Sequence, residues 1–209
     1  MKPYELFDLI DSIGHTEYHT SGDDVQWIIL VDDSEKVIRL IFEESAGKRD
    51  WINNFNFPVK IYKKQKSCMM VAKGWCEAYK SCNDEIMSSL IQTSTDKPEC
   101  QVHICGWSYG GAMSLLAAED FWYRTGIKPC VYTFGAPKPL WGTKTEKYVR
   151  SCVDDVKQYS HVDDCVTLMP PFCGYKRIST DYIGGKRQFI KLFQPQIYHC
   201  IYGEPSLYD

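Results

Sequence analysis

The stretch HICGWSYGGA, residues 103–112, sets one serine among three glycines and joins two apolar segments. Residues 101–105, QVHIC, precede the serine and are typical of a short strand. Residues 111–124 follow it and have the composition of a helix, which Gly126 is placed to end. The stretch therefore predicts a tight strand–turn–helix connection with a serine at the turn.

The three central residues of this turn, Gly106, Ser108 and Gly110, fit the pattern G-x-S-x-G. In a nucleophile elbow the serine takes strained backbone angles, so the residues two before and two after it need minimal side chains. The backbone N–H of Tyr109, at the start of the helix, would then face a developing oxyanion. The alternative is a glycine-rich turn whose serine only caps the helix.

Strands and helices alternate on both sides of this turn. Two β-rich runs joined by a polar turn predict an antiparallel hairpin near the N-terminus, and further strands and one more helix follow it. The hairpin strands are expected at 25–31 and 36–42, the later strands at 67–72, 130–134 and 156–161, and the second helix at 74–91. This order predicts an α/β fold with a mostly parallel central sheet.

The length and composition of the chain limit the classes of protein to which it can belong. The 209 residues suffice for a single domain spanning residues 1–209. A net charge of −3 argues against a nucleic-acid partner. Acidic residues interrupt the N-terminal segment, and no apolar run reaches the length of a membrane span. The ten cysteines are scattered through predicted strands and helices, which favours free thiols over a disulfide framework. These features lead us to expect a cytoplasmic location.

The partners of a serine nucleophile are sought by chain order, which in α/β-hydrolases is serine, acid, histidine. Of the five histidines only His161 and His199 follow Ser108, and only His199 leaves room for an acid between. Asp163 and Asp164 stand at the end of a predicted strand, where the carboxyl edge of a sheet carries its site. From these residues alone, either aspartate is a candidate acid or a solvated turn residue.

Five separated blocks, in order along the chain, resemble those of the class 3 lipases, the filamentous-fungal triacylglycerol lipases and their plant and bacterial relatives. The blocks are VAKGW for V-H-x-G-F, GWSYGGA for G-H-S-L-G-G-A, YTFGAPKPLW for T-F-G-x-P-R-V-G, DCVTLMPP for D-x-V-P-x-L-P-P and IYHCIYGEP for H-x-x-Y. The resemblance covers most of the chain. It implies an α/β-hydrolase fold with helices on both faces of the sheet.

The resemblance also implies a catalytic triad and a reaction. The register of DCVTLMPP selects Asp164 over Asp163, and the closing block selects His199 as the base. Ser108 would then hydrolyse carboxylic esters, most naturally those of lipids, through an acyl-enzyme. We expect no metal or organic cofactor, since this chemistry requires none and no cluster of ligand residues argues for one.

One departure from the family concerns the oxyanion hole. Phe42, Glu43, Glu44 and Ser45 stand where the family has F-R-G-S or F-R-G-T, so the resemblance places Ser45 beside Tyr109 in that hole. The two carboxylates oppose a developing negative charge unless they are solvated or turned away. A weakly active or inactive interaction protein is therefore one alternative, and a hydrolase of non-lipid acyl groups is another.

The segment RDWINNF resembles the family's short lid helix. Its apolar side chains alternate with polar ones, so that one face is expected to contact lipid; a short helix covering the core is the alternative. The residues assigned to the lid and substrate are Trp51, Ile52, Phe55, Phe57 and Trp107. The expected partners are an acyl-ester or lipid substrate and, transiently, a lipid surface. Four nearby lysines, at 60, 63, 64 and 66, suit either an anionic surface or a solvated strand edge.

Overall fold

The structure is a computed structural model that describes residues 1–13, 19–22, 25–43, 58–64, 68–184 and 199–208. The helices of this part are α1 (Pro3–Ile13), α2 (Lys73–Asp96), α3 (Ser108–Thr125) and α4 (Thr143–Ser151). The strands are β1 (His19–Ser21), β2 (Val25–Asp32), β3 (Val37–Phe42), β4 (Val59–Lys63), β5 (Cys68–Ala72), β6 (Gln101–Trp107), β7 (Cys130–Phe134), β8 (Leu140–Trp141), β9 (Val156–His161), β10 (Tyr175–Lys176) and β11 (Asp181–Ile183).

The main sheet has seven strands in the described residues, in the order β1-β2-β3-β6-β7-β9-β11. The five strands from β3 to β11 run parallel, whereas β1 and β2 are antiparallel additions at one edge. A smaller antiparallel sheet has the order β10-β8-β5-β4. The predicted mostly parallel sheet with an N-terminal antiparallel hairpin is thus confirmed.

Strand β3 shows why the sheet is covered on both faces. All six of its residues are buried, because successive side chains point to opposite sides of the sheet and both sides are packed. Ile38, Leu40 and Phe42 belong to the large core cluster that includes residues of α2 and α3, whereas Ile41 belongs to the cluster that includes Phe7 of α1. Helices therefore pack on both faces of the sheet, as predicted.

Most boundaries of the predicted elements agree with the structure, but α1, α4, β1, β4 and β8 were not predicted. Strands β7 and β9 have the predicted limits, and α3 ends at Thr125, directly before Gly126, which has a φ of +74°. In β4 only Tyr62 is fully buried, so the strand lacks the alternating apolar pattern that its prediction requires. In α1 acidic residues stand between the apolar ones, which lie on one face of the helix.

Two of the lysines near β4 have carboxylate partners. Lys60 Nζ lies 2.7 Å from Glu77 Oε1 in an exposed pair. Lys64 Nζ lies 2.5 Å from Glu119 Oε2 and 2.8 Å from Asp120 Oδ1, and both of these carboxylates are buried in α3. A buried carboxylate requires such a partner, because leaving it uncompensated is costly. Lys60 and Lys64 therefore fit a strand edge tied to the helices better than a lipid-binding surface.

All ten cysteines lie in the described residues and each is a free thiol. Five of them are buried, where a thiol packs as a small apolar side chain. Within the same part of the chain, no helix combines the length and the apolar character required to cross a bilayer.

His103, in the middle of β6, makes the stability of the fold depend on pH. Burial, with a smaller contribution from the Arg39 guanidinium, lowers the pKa of its imidazole from 6.5 to about 4. Between these values the unfolded chain binds a proton at His103 that the folded protein does not, so the free energy of unfolding falls as the pH falls through this window. We expect His103→Gln to reduce the loss of stability between pH 7 and pH 4, measured by denaturant unfolding.

The matched control is His19→Gln, which removes an exposed histidine from β1. Its pH dependence provides the reference slope with which that of His103→Gln is compared. An unchanged slope in His103→Gln would contradict the assignment.

Candidate active site

Ser108 occupies a strained turn between β6 and α3. Its φ is +51°, in the left-handed region that residues other than glycine rarely adopt. The residue is fully buried, and its Oγ has no hydrogen-bond partner among the described residues. A serine that merely capped the helix would bond through its hydroxyl to the first backbone N–H groups, and the structure records no side-chain cap at this helix start. This geometry is that of a nucleophile elbow.

The two glycines of the G-x-S-x-G pattern are required by close backbone packing. A Cβ on Gly106 would lie 2.4 Å from the backbone of Gly110, and a Cβ on Gly110 would lie 2.4 Å from the carbonyl oxygen of Phe42. Neither contact can be relieved by rotating a side chain, since the obstructing atoms belong to the backbone. The predicted need for minimal side chains at both positions is therefore confirmed.

Tyr109, whose backbone N–H is one of the two predicted oxyanion donors, lies in the first turn of α3. It directly follows Ser108. The end of β3 approaches the same turn, because a Cβ on Gly110 would also lie 3.0 Å from the carbonyl oxygen of Glu43. The backbone N–H of Glu43 donates to the carbonyl of Gln26 at 3.2 Å. The other predicted donor, Ser45, follows this point and lies outside the described residues, as does Glu44.

Asp164, in the loop after β9, is fully buried and accepts three hydrogen bonds. Its Oδ1 accepts the backbone N–H of Val166 at 2.9 Å. Its Oδ2 lies 2.8 Å from Nδ1 of His199 and accepts the hydroxyl of Tyr202 at 2.6 Å. A carboxylate accepts only, so the imidazole presents Nδ1–H to it and leaves Nε2 as an acceptor. The structure thus brings the predicted acid and base together.

Asp163, the alternative acid, occupies a different environment from Asp164. Its backbone N–H donates to Nδ1 of His161 at 3.2 Å, and its side chain is half-buried. The contact with His199 is made by Asp164, the aspartate that the resemblance selects.

Gly135 allows the acid and the base to meet. Its φ is +58°, and a Cβ there would lie 2.9 Å from His199 Nδ1 and 3.0 Å from Asp164 Oδ2. The loop after β7 therefore packs directly against the contact between the two side chains. Gly135 belongs to the T-F-G block of the family resemblance, but it was not among the predicted site residues.

Tyr202 is a second site residue that the sequence analysis left without a role. Its hydroxyl accepts the backbone N–H of His161 at 3.0 Å while it donates to Asp164. Burial, and next the neighbouring Asp164 carboxylate, hold the pKa of Tyr202 well above its ordinary value, so the phenol stays protonated and remains a donor. The tyrosine of the H-x-x-Y block was the signal for it.

Arg177 holds together two of the loops that form this site. Its guanidinium donates to the carbonyl of Ala136 at 3.0 Å, and also to the carbonyl of Thr167 and to Ser160 Oγ. Thr167 in turn donates its hydroxyl to the carbonyl of Asp164 at 2.7 Å. One partly buried cation thereby fixes the loop that contains Gly135 relative to the loop that contains Asp164. No motif in the sequence indicated it.

Trp107, which was assigned to the lid and substrate residues, contacts His199. Its indole Nε1–H donates to the backbone carbonyl of His199 at 3.0 Å, and the two ring centroids are 5.5 Å apart. The remaining residues assigned to the lid and substrate, Trp51, Ile52, Phe55 and Phe57, lie outside the described residues.

Comparison with known proteins places this site in a recognised fold. The structure superimposes on the triacylglyceride lipase of Rhizomucor miehei with a TM-score of 0.73 and 25% sequence identity, covering 80% of this chain and 65% of that one. The fold is therefore that of the α/β-hydrolases.

Curated relatives match over most of this chain. A secreted mono- and diacylglycerol lipase 1 of Fusarium solani is 28% identical over 160 residues, which cover 74% of this chain and 46% of the relative. A lipase of Rhizomucor miehei is 28% identical over 152 residues, which cover 71% of this chain and 41% of the relative. The chain spans about half the length of the curated relatives that it matches.

These relatives overturn the expected cytoplasmic location. The Fusarium solani relative is named as a secreted enzyme, so the comparison points to an extracellular location. The expectation relied on the acidic residues of the N-terminal segment, on the lack of an apolar run of membrane-span length and on the scattered cysteines; buried thiols pack as small apolar side chains whatever the compartment.

The family model described as lipase (class 3) matches residues 40–173. This range is more than half of the chain and contains both Ser108 and Asp164. The chain belongs to the class 3 lipase family.

Proposed function

We propose that this chain is a serine hydrolase that cleaves carboxylic esters of lipids, with Ser108 as nucleophile, His199 as base and Asp164 as acid. The observation that carries the proposal is the buried 2.8 Å contact between His199 Nδ1 and Asp164 Oδ2. The turn that holds Ser108 in a strained backbone conformation is close to this contact. We propose further that residues 1–209 form one domain around this site.

The unpaired atoms of the triad support a proton transfer from serine to histidine. Ser108 Oγ and His199 Nε2 are both buried, and neither has a hydrogen-bond partner among the described residues. Catalytic hydrogen bonds of this kind often tighten only when substrate is bound. Each atom is therefore available to the other during the reaction.

The reaction runs in two steps. Ser108 Oγ attacks the ester carbonyl while His199 Nε2 takes its proton, and the same proton then passes to the departing alcohol as the acyl-enzyme forms. Water attacks the acyl-enzyme with His199 again as base, which releases the fatty acid and restores the serine. Asp164 keeps Nδ1 protonated and stabilises the imidazolium that forms in each step.

The oxyanion of each tetrahedral intermediate needs donors beside Ser108. We assign this role to the backbone N–H groups of Tyr109 and Ser45, and one ordered donor is typically worth about 3 kcal/mol. Glu43 and Glu44 precede Ser45, so the rate of this enzyme depends on where their carboxylates lie relative to the oxyanion.

The lipid nature of the substrate is supported by the relatives, which are named as lipases. The aromatic and aliphatic residues of 51–57 are assigned to a lid that meets the acyl chain or a lipid surface. Two alternatives to a lipid hydrolase are an inactive interaction protein and a hydrolase of non-lipid acyl groups, and acyl chain length distinguishes a lipid substrate from a short acyl group.

Ser108→Ala is expected to abolish both labelling by a fluorophosphonate probe and hydrolysis of aryl esters, because it removes the only proposed nucleophile. Ser114→Ala is the matched control. Ser114 is a buried serine of the same helix, and its hydroxyl donates to the carbonyl of Gly110 at 2.9 Å. We expect this variant to be labelled like the wild-type protein.

A series of aryl esters of increasing acyl length, assayed with the wild-type protein, tests the substrate class. We expect medium and long chains to be hydrolysed. Activity confined to the acetyl ester would argue against a lipid substrate, and a wild-type protein that is neither labelled nor active would favour the interaction-protein alternative.

Asp164→Asn is expected to lower kcat by about 10⁴-fold, since an amide in place of the carboxylate favours the wrong tautomer of His199. The neighbouring change Asp163→Asn provides the control, because it makes the same chemical change one residue away from the carboxylate that contacts His199. We expect it to retain wild-type kcat. Equal losses in the two variants would show that the acid has been misassigned.

A further inference from the structure

We propose that Trp107 is a positioning residue that holds the base His199 against the nucleophile elbow. The inference rests on the proposed function, in which His199 acts as the base. It differs from the sequence prediction for Trp107, which assigned its side chain to the substrate.

The first observation is a hydrogen bond between the two catalytic segments. The indole Nε1–H of Trp107 donates to the carbonyl oxygen of His199 at 3.0 Å, which is an ordinary distance for a good N–H···O bond. Trp107 is the residue directly before Ser108, so its Cα lies about 3.8 Å from that of the nucleophile across a trans peptide. The bond therefore ties the backbone of the base to the backbone beside the nucleophile.

The second observation is the contact between the rings. The indole and imidazole centroids are 5.5 Å apart with an angle of 35° between the ring planes. The indole therefore packs against the imidazole as well as bonding to its backbone. Both the ring and the main chain of His199 contact Trp107.

The third observation is that Trp107 is itself held in place. The ring of Phe7, on the buried face of α1, packs edge-on against the indole with centroids 5.4 Å apart. Phe7 makes a similar edge contact with Phe134 of β7 at 5.4 Å. Helix α1 thus supports the indole through Phe7.

These contacts matter because the described structure has no hydrogen bond between Ser108 and His199. Both Ser108 Oγ and His199 Nε2 are unpartnered among the described residues, so that pair does not fix the distance between nucleophile and base. Asp164 orients the imidazole through Nδ1, but it belongs to the loop after β9 rather than to the elbow. In the described part of the chain, the hydrogen bond from the Trp107 indole joins the backbone of His199 to β6, the strand that leads into the elbow.

Trp107→Phe tests the hydrogen bond, since phenylalanine keeps an aromatic ring and removes the donor. We expect kcat on a soluble aryl ester to fall about 10- to 100-fold with KM unchanged, as for a small misplacement of a catalytic group. Trp107→Leu removes the aromatic ring as well, and its kcat is expected to be lower than that of Trp107→Phe.

The control is Trp122→Phe, which makes the same chemical change on α3. Residue 122 is 14 residues beyond Ser108, or about 21 Å along the helix at 1.5 Å per residue. We expect wild-type kcat from this variant. A rise in KM without a fall in kcat for Trp107→Phe would overturn the proposal in favour of a substrate contact, and wild-type values for both constants would overturn it outright.

A readout that does not require activity separates this proposal from the proposed function. The Nδ1–H proton of His199, bonded to Asp164, is observed by proton NMR, and its exchange rate with water is compared in wild-type protein and Trp107→Phe. We expect faster exchange in the variant, because the histidine backbone has lost its tether. If exchange is faster in Trp107→Phe but the wild-type protein hydrolyses no ester, the esterase function is rejected and the positioning role is retained. An unchanged exchange rate in Trp107→Phe would reject the positioning role itself.

Discussion

The Asp164 carboxylate is fully buried, and a buried carboxylate has to be satisfied by hydrogen bonds. Its three donors come from two places: Val166 from its own loop, and His199 and Tyr202 from the C-terminal segment. Gly135 supplies the space for this convergence, since any side chain there would collide with the imidazole. The loops after β7 and β9 and the last described residues are therefore positioned together around one acidic group.

The elbow imposes the second constraint, because it places a serine in a backbone conformation that is costly by itself. Such strain persists only where the surrounding structure over-determines it. Here the turn is confined by backbone atoms of β3 and of α3, which leave room only for glycine at positions 106 and 110. The same rigid turn carries Trp107, whose indole reaches the backbone of His199. Nucleophile and base are thus positioned by elements that are fixed by the packing of the sheet.

Much of the fold could be predicted from the chain because its central strands are buried on both sides and its helices carry clear end signals. The limits of β7 and β9 followed from apolar composition, and the end of α3 followed from Gly126. Strand β4 could not be predicted, since the partners of Lys60 within it and of Lys64 directly after it are carboxylates distant in sequence, which no local pattern indicates. The expected cytoplasmic location was wrong, because acidic residues near the N-terminus and scattered cysteines do not report on the compartment of a protein.

At the site, the sequence by itself determined the nucleophile turn and the candidates for its partners. G-x-S-x-G is a local constraint on backbone angles, and the family blocks narrowed the acid to Asp164 and the base to His199. Only the tertiary structure decided how these side chains meet and what supports them. The donor Tyr202, the space at Gly135, and the indole bond from Trp107 are contacts between segments that are distant in the chain. Residue spacing specifies local backbone geometry, but a hydrogen bond across 92 residues exists only once the sheet has brought its ends together.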